Sequence, residues 1–296
     1  MADMLKLIQD AKVFADSALL DESDLTSEKD ENLTMAVWAK FINMSKDYHY
    51  NIFKNAAQDY FAVKGTISFT SGTQEYSTPG NSVEIRYLEK TDCDPDEVIH
   101  PINIDQRLDY VDDENNTDDD DTVTHHAYIF NRIIGFQPNM DTATNGINIF
   151  YIRRLPDMLY GTCTATGTTL VLPATPTFGV TSTEDDKYND ARVKVISATT
   201  GAGQIKEVAD YVGSTRTCTV STWGTTPTGT IVAEIMCDIP EEHHWAVSLY
   251  AAILARTSDH EKIGDLALLY KDASDQIKEG LSRSRQKGVL VENNDL

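Results

Sequence analysis

The stretch RVKVISATTGAGQIKEVADYVG, residues 192–213, places apolar residues in two runs on either side of a turn with two glycines. Val193 and Val195 alternate with basic and polar neighbours, which is the period of a strand that buries one face. Gly201 and Gly203 are turn residues because glycine adopts backbone conformations that other residues avoid. The stretch therefore predicts two β strands joined by a glycine turn.

The same character extends over residues 159–238, where threonine, glycine and short apolar alternations dominate. Turn residues recur there at intervals typical of a small β barrel or sandwich. They are Gly167, Pro173, Gly179, Gly201, Gly203, Gly213, Gly224, Pro227 and Gly229. We therefore interpret residues 159–238 as an inserted antiparallel β module.

The two ends of the chain show helical periodicity instead. Residues 1–62 include a wide double row of apolar residues, typical of a helix packed inside a bundle or between chains. Pro240, between Asp238 and Glu241, predicts a capped helix start, and a narrow apolar seam follows within residues 239–296. We predict an α+β fold in which both chain ends build a helical bundle core and the antiparallel β barrel or sandwich is inserted into it.

Residues 63–158 predict a β-rich segment that contains an acidic loop. Apolar and polar residues alternate from Gly65 onward, but residues 105–121, DQRLDYVDDENNTDDDD, hold nine acids and one base. Self-repulsion and the absence of apolar residues after Val111 exclude a packed core in this run. The acids that define the loop are Asp112, Asp113, Glu114, Asp118, Asp119, Asp120 and Asp121.

This acidic run matches a calcium-binding loop only in part. The spacing of the first calcium ligands is reproduced by Asp112, Glu114, Asn116 and Asp118. Thr117 stands where such a loop has its glycine, and Val123 stands where the closing acid belongs. We therefore expect a solvated loop without a metal ion.

The charge of the whole chain excludes several classes of partner. The 296 residues carry 25 Lys and Arg against 47 Asp and Glu, a formal charge of −22. Such acidity argues against a protein that grips nucleic-acid phosphates or anionic lipid. No apolar run reaches the ~18 residues of a membrane span, and residues 1–10 lack the apolar core of a secretory signal. We expect a soluble protein assembled in the cytoplasm, without a membrane partner.

The sequence contains no recognisable catalytic or metal-binding motif. Cys93, Cys163, Cys218 and Cys237 form no CxxC pair and are expected to be reduced thiols. The histidines are mostly adjacent dipeptides, which rarely ligate one metal together. The glycines of the turn are not followed by the spacing of a phosphate-binding loop. We therefore predict no enzymatic activity, no metal and no cofactor.

Four motifs of the β module resemble a module that recurs in structural proteins of tailed bacteriophages, including neck and fibre components. They are an RVKVIS-type strand, Gly201-Ala202-Gly203-Gln204, Asp210-Tyr211-Val212-Gly213 with Thr215, and Trp223 with Thr225-Thr226-Pro227. The order and spacing of these motifs both match. The resemblance implies a protein of a phage virion.

The sequences that flank the module narrow this resemblance. Arg153-Arg154-Leu155-Pro156 precedes the module, and Ile239-Pro240-Glu241-Glu242-His243 leads into a predicted helix at residues 245–255. Both resemble the head–tail adaptor, or connector, proteins of phages. The resemblance covers residues 153–281, and residues 63–150 depart from the simple adaptor pattern.

This resemblance implies a ring of identical chains, dodecameric by analogy, that joins the portal protein to the next neck or tail protein. Genomic DNA would pass through the ring without tight binding, because an acidic wall repels phosphates. The acidic loop would face either the lumen or the outer rim. The residues assigned to a subunit or portal interface are Trp245, Leu249, Ile253, Ile263, Leu266, Tyr270 and Ile277. The alternative is a tail fibre or host-recognition attachment protein, because the same module occurs there.

Overall fold

The computed structural model describes residues 3–15, 33–57, 59–70, 73–90, 99–109, 126–137, 146–258 and 263–288. The chain divides into two units, one of Met1–Tyr60 with Leu155–Leu296 and one of Phe61–Arg154. The predicted helical bundle core is wrong, because the described chain is mostly β with few helices and includes a closed six-stranded barrel. Apolar residues at helical spacing near both ends predict helices, but this spacing does not show that those helices form the core of the fold.

In its described residues, the unit of residues 61–154 contains two sheets and an apolar core. Its strands are β1 Ala62–Ser68, β2 Glu75–Ser77, β3 Ser82–Lys90, β4 His100–Pro101, β5 His126–Phe130, β6 Ile133–Gln137 and β7 Gly146–Arg153. One sheet has the order β1-β7-β3, and the other has the order β2-β6-β5-β4 with β4 parallel to β5. Ile134, Phe136, Ile147 and Ile149 are fully buried in the core between the strands. A short 3-10 helix spans Ile104–Gln106.

The second unit contains the barrel. Its strands are β8 Leu159–Thr166, β9 Thr169–Val171, β10 Arg192–Ser197, β11 Ile205–Val212, β12 Thr217–Val220 and β13 Ile231–Ile235. They close in the order β10-β11-β12-β9-β8-β13, and every pairing is antiparallel. Val193 and Val195 on β10 are fully buried with Val208 and Ala233 in the barrel core. Closure removes the exposed strand edges that an open sheet would leave.

In the described part of this unit, four helices accompany the barrel: α1 Asp3–Phe14, α2 Met35–Ala56, α3 His244–Ser258 and α4 Gly264–Gly288. A 3-10 turn, Glu241–His243, precedes α3, and no side chain caps it. The predicted capping role of Asp238 is wrong, since its carboxylate instead accepts a hydrogen bond from Arg192 Nε at 2.8 Å.

Helix α1 is held along its length by groups from α3. Its apolar face, which includes Leu7, is buried, and Ser248 Oγ donates a hydrogen bond to the carbonyl of Leu7 at 3.0 Å. Arg256 donates two hydrogen bonds, at 3.1 and 2.9 Å, to the carbonyl of Ala15 just beyond the end of α1. A cation at this end of a helix satisfies an unpaired carbonyl and complements the helix dipole.

Candidate assembly surface

The side chain of Gln204 joins two of the motifs that define the β module. Its Nε2 donates hydrogen bonds to the carbonyls of Gly201 at 2.9 Å and Thr225 at 2.6 Å. Its Oε1 accepts from the backbone N–H groups of Gly224 at 2.8 Å and Thr225 at 3.3 Å. Gly201 has a φ of +75°, and a Cβ there would lie 2.5 Å from the carbonyl oxygen of Thr225. The glycine is therefore required for the two turns to approach each other.

The Asp210–Gly213 motif fastens the long β9–β10 connection to the barrel. Tyr211 is buried, and its hydroxyl donates a hydrogen bond to the carbonyl of Ser182 at 2.5 Å. Its ring meets that of Tyr188 edge-on with centroids 4.7 Å apart. The N–H of Gly213 donates to Asp185 Oδ1 at 2.7 Å. Burial raises the pKa of Tyr211 to about 12, so its hydroxyl stays a donor at neutral pH. These motif residues build and hold the barrel.

Helix α2 is tied to the segment that leads into the barrel. The Nζ of Lys46 is almost fully buried and donates to the carbonyl of Pro156 at 2.5 Å, with Asp157 Oδ1 at 3.4 Å. Asn43 pairs with the backbone of Met158 in both directions: Nδ2 donates to its carbonyl at 3.0 Å, and Oδ1 accepts from its N–H at 2.8 Å. The position of α2 relative to β8 is thereby fixed.

Most of the predicted interface residues are packed inside their own chain. Leu249, Ile253 and Tyr270 form one buried cluster, against which Ile263 and Leu266 pack while partly buried. Ile277 is also buried, whereas Trp245 keeps 41% of its surface exposed. The apolar seam of α4 is therefore covered by the described chain itself, and an interface over these residues stays a prediction.

The sequence did not reveal a cluster of aromatic rings between α2, α3 and α4. The ring of Tyr48 stacks on Tyr250 with centroids 4.5 Å apart, and Tyr250 lies 4.8 Å from Tyr270. His49 is fully buried beside them, with Nδ1 2.8 Å from the carbonyl of Ser45 and Nε2 3.3 Å from the hydroxyl of Tyr270. Burial lowers the pKa of His49 to about 4. The neutral ring therefore donates from Nδ1–H and accepts at Nε2.

Two pairs of large apolar side chains remain on the outside of the helices. On α2, Met44 and Tyr48 are one turn apart and keep 46% and 44% of their surface exposed; we call them the α2 patch. On α4, Leu268 and Leu269 keep 65% and 57%, and we call them the α4 patch. Contiguous exposed apolar surface of this kind marks sites of interaction with other proteins. The sequence contained a signal for the α4 patch, since both leucines lie off the seam of that helix.

Several sequence predictions fall outside the described residues. The acids assigned to the loop, from Asp112 to Asp121, all lie there, as do Cys93, Thr117 and Val123. The placement of that loop, on the lumen or on the outer rim of a ring, stays a prediction.

The described cysteines are buried, uncharged thiols. Cys163, Cys218 and Cys237 are free and buried, and burial raises the pKa of each to about 12. Over the described ranges, no three His, Cys, Asp or Glu side chains gather closely enough to hold a metal ion. No helix in the described part of the chain is both long and apolar enough to cross a membrane.

No protein-family model matches this chain, and no curated protein matches it either.

Proposed function

We propose that this chain is a structural subunit of a tailed-phage virion, a head-to-tail adaptor that forms a homo-oligomeric ring. The ring joins the portal protein to the next neck or tail protein and surrounds part of the DNA channel. The observation that carries the proposal is the exposed apolar surface of the helices, the α2 patch and the α4 patch. Such surface is costly in water and is stabilised by burial against another protein surface.

The roles of the motif residues support the same proposal. The residues by which the module resembles phage virion proteins are engaged in hydrogen bonds that hold the barrel together, as Gln204 and Tyr211 illustrate. A module that is defined by framework residues suits a protein whose role is architectural. The chain thus offers a rigid barrel together with helices that carry apolar surface.

The acidity of the chain is consistent with a ring through which DNA passes. With a net charge of −22, the ring repels the phosphates of DNA, so genomic DNA passes without tight binding. Assembly takes place in the host cytoplasm, and the final location is the virion neck.

A tail fibre or host-recognition protein is the second candidate, and one observation favours it. The described chain is mostly β, and it does not have the predicted helical core that would have argued against a fibre protein. Fibre proteins are commonly trimeric and β-rich, so the two candidates differ in stoichiometry.

Electron microscopy of the purified chain, alone and mixed with the portal assembly of the same phage, tests the proposal. We expect closed rings of many copies, twelve by analogy with adaptor proteins, in at least one of the two samples. A trimer in both samples would favour the hypothesis of a fibre protein. A monomer in both samples would overturn the proposal of an adaptor.

A further inference from the structure

We infer that neighbouring copies in the ring join through a heterologous contact, in which the α2 patch of one copy packs on the α4 patch of the next. This inference rests on the proposed ring and specifies its subunit contact. Both patches belong to the same unit of the chain, so each copy carries one of each. A contact between different surfaces repeats from copy to copy and closes into a ring when the rotation permits.

The tyrosine of the α2 patch is held in place by its own chain. The ring of Tyr48 is held from within by stacking on Tyr250 at 4.5 Å and by Tyr270 at 6.1 Å. Its exposed face is thus presented in a fixed orientation beside Met44. A side chain that is already immobilised loses little further freedom on association, which favours binding.

The charged residues around the two patches differ in net sign. Asp265 and Asp272 are exposed and lie one helical turn before and after the leucines of the α4 patch. On α2, the exposed Lys40 lies one turn before Met44. Acidic residues beside one patch and a lysine beside the other favour their mutual contact.

The remaining charges near the patches do not reverse this difference. Asp47 lies on the flank of the α2 patch, but its carboxylate is 3.2 Å from the Nζ of Lys46 in the same chain. Lys271 lies one turn after Leu268, on the side away from Leu269.

A symmetric contact between two α4 patches is disfavoured by the same charges. It would bring the Asp265 and Asp272 carboxylates of one copy close to those of the other, and like charges at an interface repel. The pairing of an α2 patch with an α4 patch avoids this repulsion and buries four large apolar side chains.

Crosslinking under ring-forming conditions tests the contact. Met44→Cys and Leu268→Cys are made separately in a Cys93→Ser background and treated with a short bis-maleimide. We expect a crosslinked dimer when the two variants are mixed and little when either is present alone. The double variant should give a ladder of linked chains. Val180→Cys, exposed on the barrel unit and outside both patches, serves as the matched control and should not crosslink.

Charge reversal gives a second test that does not depend on crosslinking. Lys40→Glu should lower the assembled fraction about fivefold or more, and addition of Asp265→Lys and Asp272→Lys should restore most of it. Restoration by the combined variant excludes misfolding as the cause. Rings that form but crosslink equally in single-variant and mixed samples would overturn this contact alone. Absence of rings under every condition would overturn the proposed function and the contact with it.

Discussion

The backbone N–H of Asp3 donates a 2.9 Å hydrogen bond to Oε1 of Glu234, a residue 231 positions later in the chain. The other carboxylate oxygen of Glu234 lies 3.3 Å from the N–H of Met4. Glu234 belongs to barrel strand β13 and is fully buried. A barrel residue thus satisfies the first free N–H groups of α1, as a capping side chain normally does.

This carboxyl should make stability depend on pH. Burial is the largest influence on Glu234 and, with the nearby charge of Asp3, raises its pKa from 4.5 to about 7. The hydrogen bonds from the N–H groups of Asp3 and Met4, and the charge of Lys194, act in the opposite direction. Tyr160 also interacts with it electrostatically. The folded state therefore binds this proton more tightly than the unfolded state. Its contribution is fully present below about pH 4.5 and is lost as the pH rises through 7, by up to about 3 kcal/mol.

Urea unfolding at pH 5, 6, 7 and 8 measures this effect. Glu234→Gln should remove the part of the pH dependence that comes from this group, whereas Glu207→Gln, an exposed substitution on strand β11, should leave the profile unchanged. Parallel pH profiles for the wild type and Glu234→Gln would contradict the prediction.

His49 should remain neutral well below the pH at which an ordinary histidine titrates. Burial lowers its pKa to about 4, so protonation in the folded state costs free energy. The corresponding stability is present above about pH 6.5 and is lost as the pH falls towards 4. An NMR titration of the imidazole measures the pKa directly, and a midpoint near 6.5 in the folded protein would refute the assignment.

Removal of the buried ammonium of Lys46 should destabilise the fold. Lys46→Met leaves the carbonyl of Pro156 without its 2.5 Å donor, and we expect a loss of about 2–3 kcal/mol in the free energy of unfolding. Lys40→Met on the exposed side of the same helix should change it by less than about 0.5 kcal/mol. Equal effects of the two substitutions, measured by urea denaturation, would rule out the proposed role of the buried amine.

Substitution by alanine should reduce the stability of the fold by different amounts at two glycines of one turn. Gly201 and Gly203 both have positive φ, +75° and +82°. An alanine at either position therefore adds about 1 kcal/mol of backbone strain. A Cβ at Gly203 meets nothing within 4 Å, whereas one at Gly201 lies 2.5 Å from the carbonyl oxygen of Thr225. Gly201→Ala should therefore cost roughly 2 kcal/mol more than Gly203→Ala, which thermal unfolding can measure.

Local patterns in the sequence predict which residues of a single strand or helix share a face better than they predict how strands and helices pack together. Val193 and Val195 alternate with polar residues and are both buried on β10. Leu249 and Ile253 also share one face, on α3, and there they pack against Tyr270 of the same chain, so an interface over these residues stays a prediction. Periodicity identifies which residues share a face, but it does not identify what covers that face.

The same limit explains why the sequence did not reveal the α2 patch. Tyr48 belongs to an apolar row of α2, yet it is half-exposed because only one side of its ring is covered, by Tyr250. The partner of Glu234 could not be read from the sequence, since the hydrogen bond joins residues 231 positions apart.

The attachment of α1 at both of its ends has a consequence for synthesis on the ribosome. Glu234 holds the first turn, and Arg256 holds the carbonyl of Ala15, so both partners are translated long after the helix itself. At bacterial translation rates of about 5–20 residues per second, synthesis of these partners follows that of α1 by about ten seconds at the fastest and by tens of seconds at the slower rates. During that interval Leu7 and its apolar neighbours lack their final cover. Helix α1 therefore docks only after β13 and α3 have been translated, and a ribosome stalled before Arg256 leaves its apolar face without that cover.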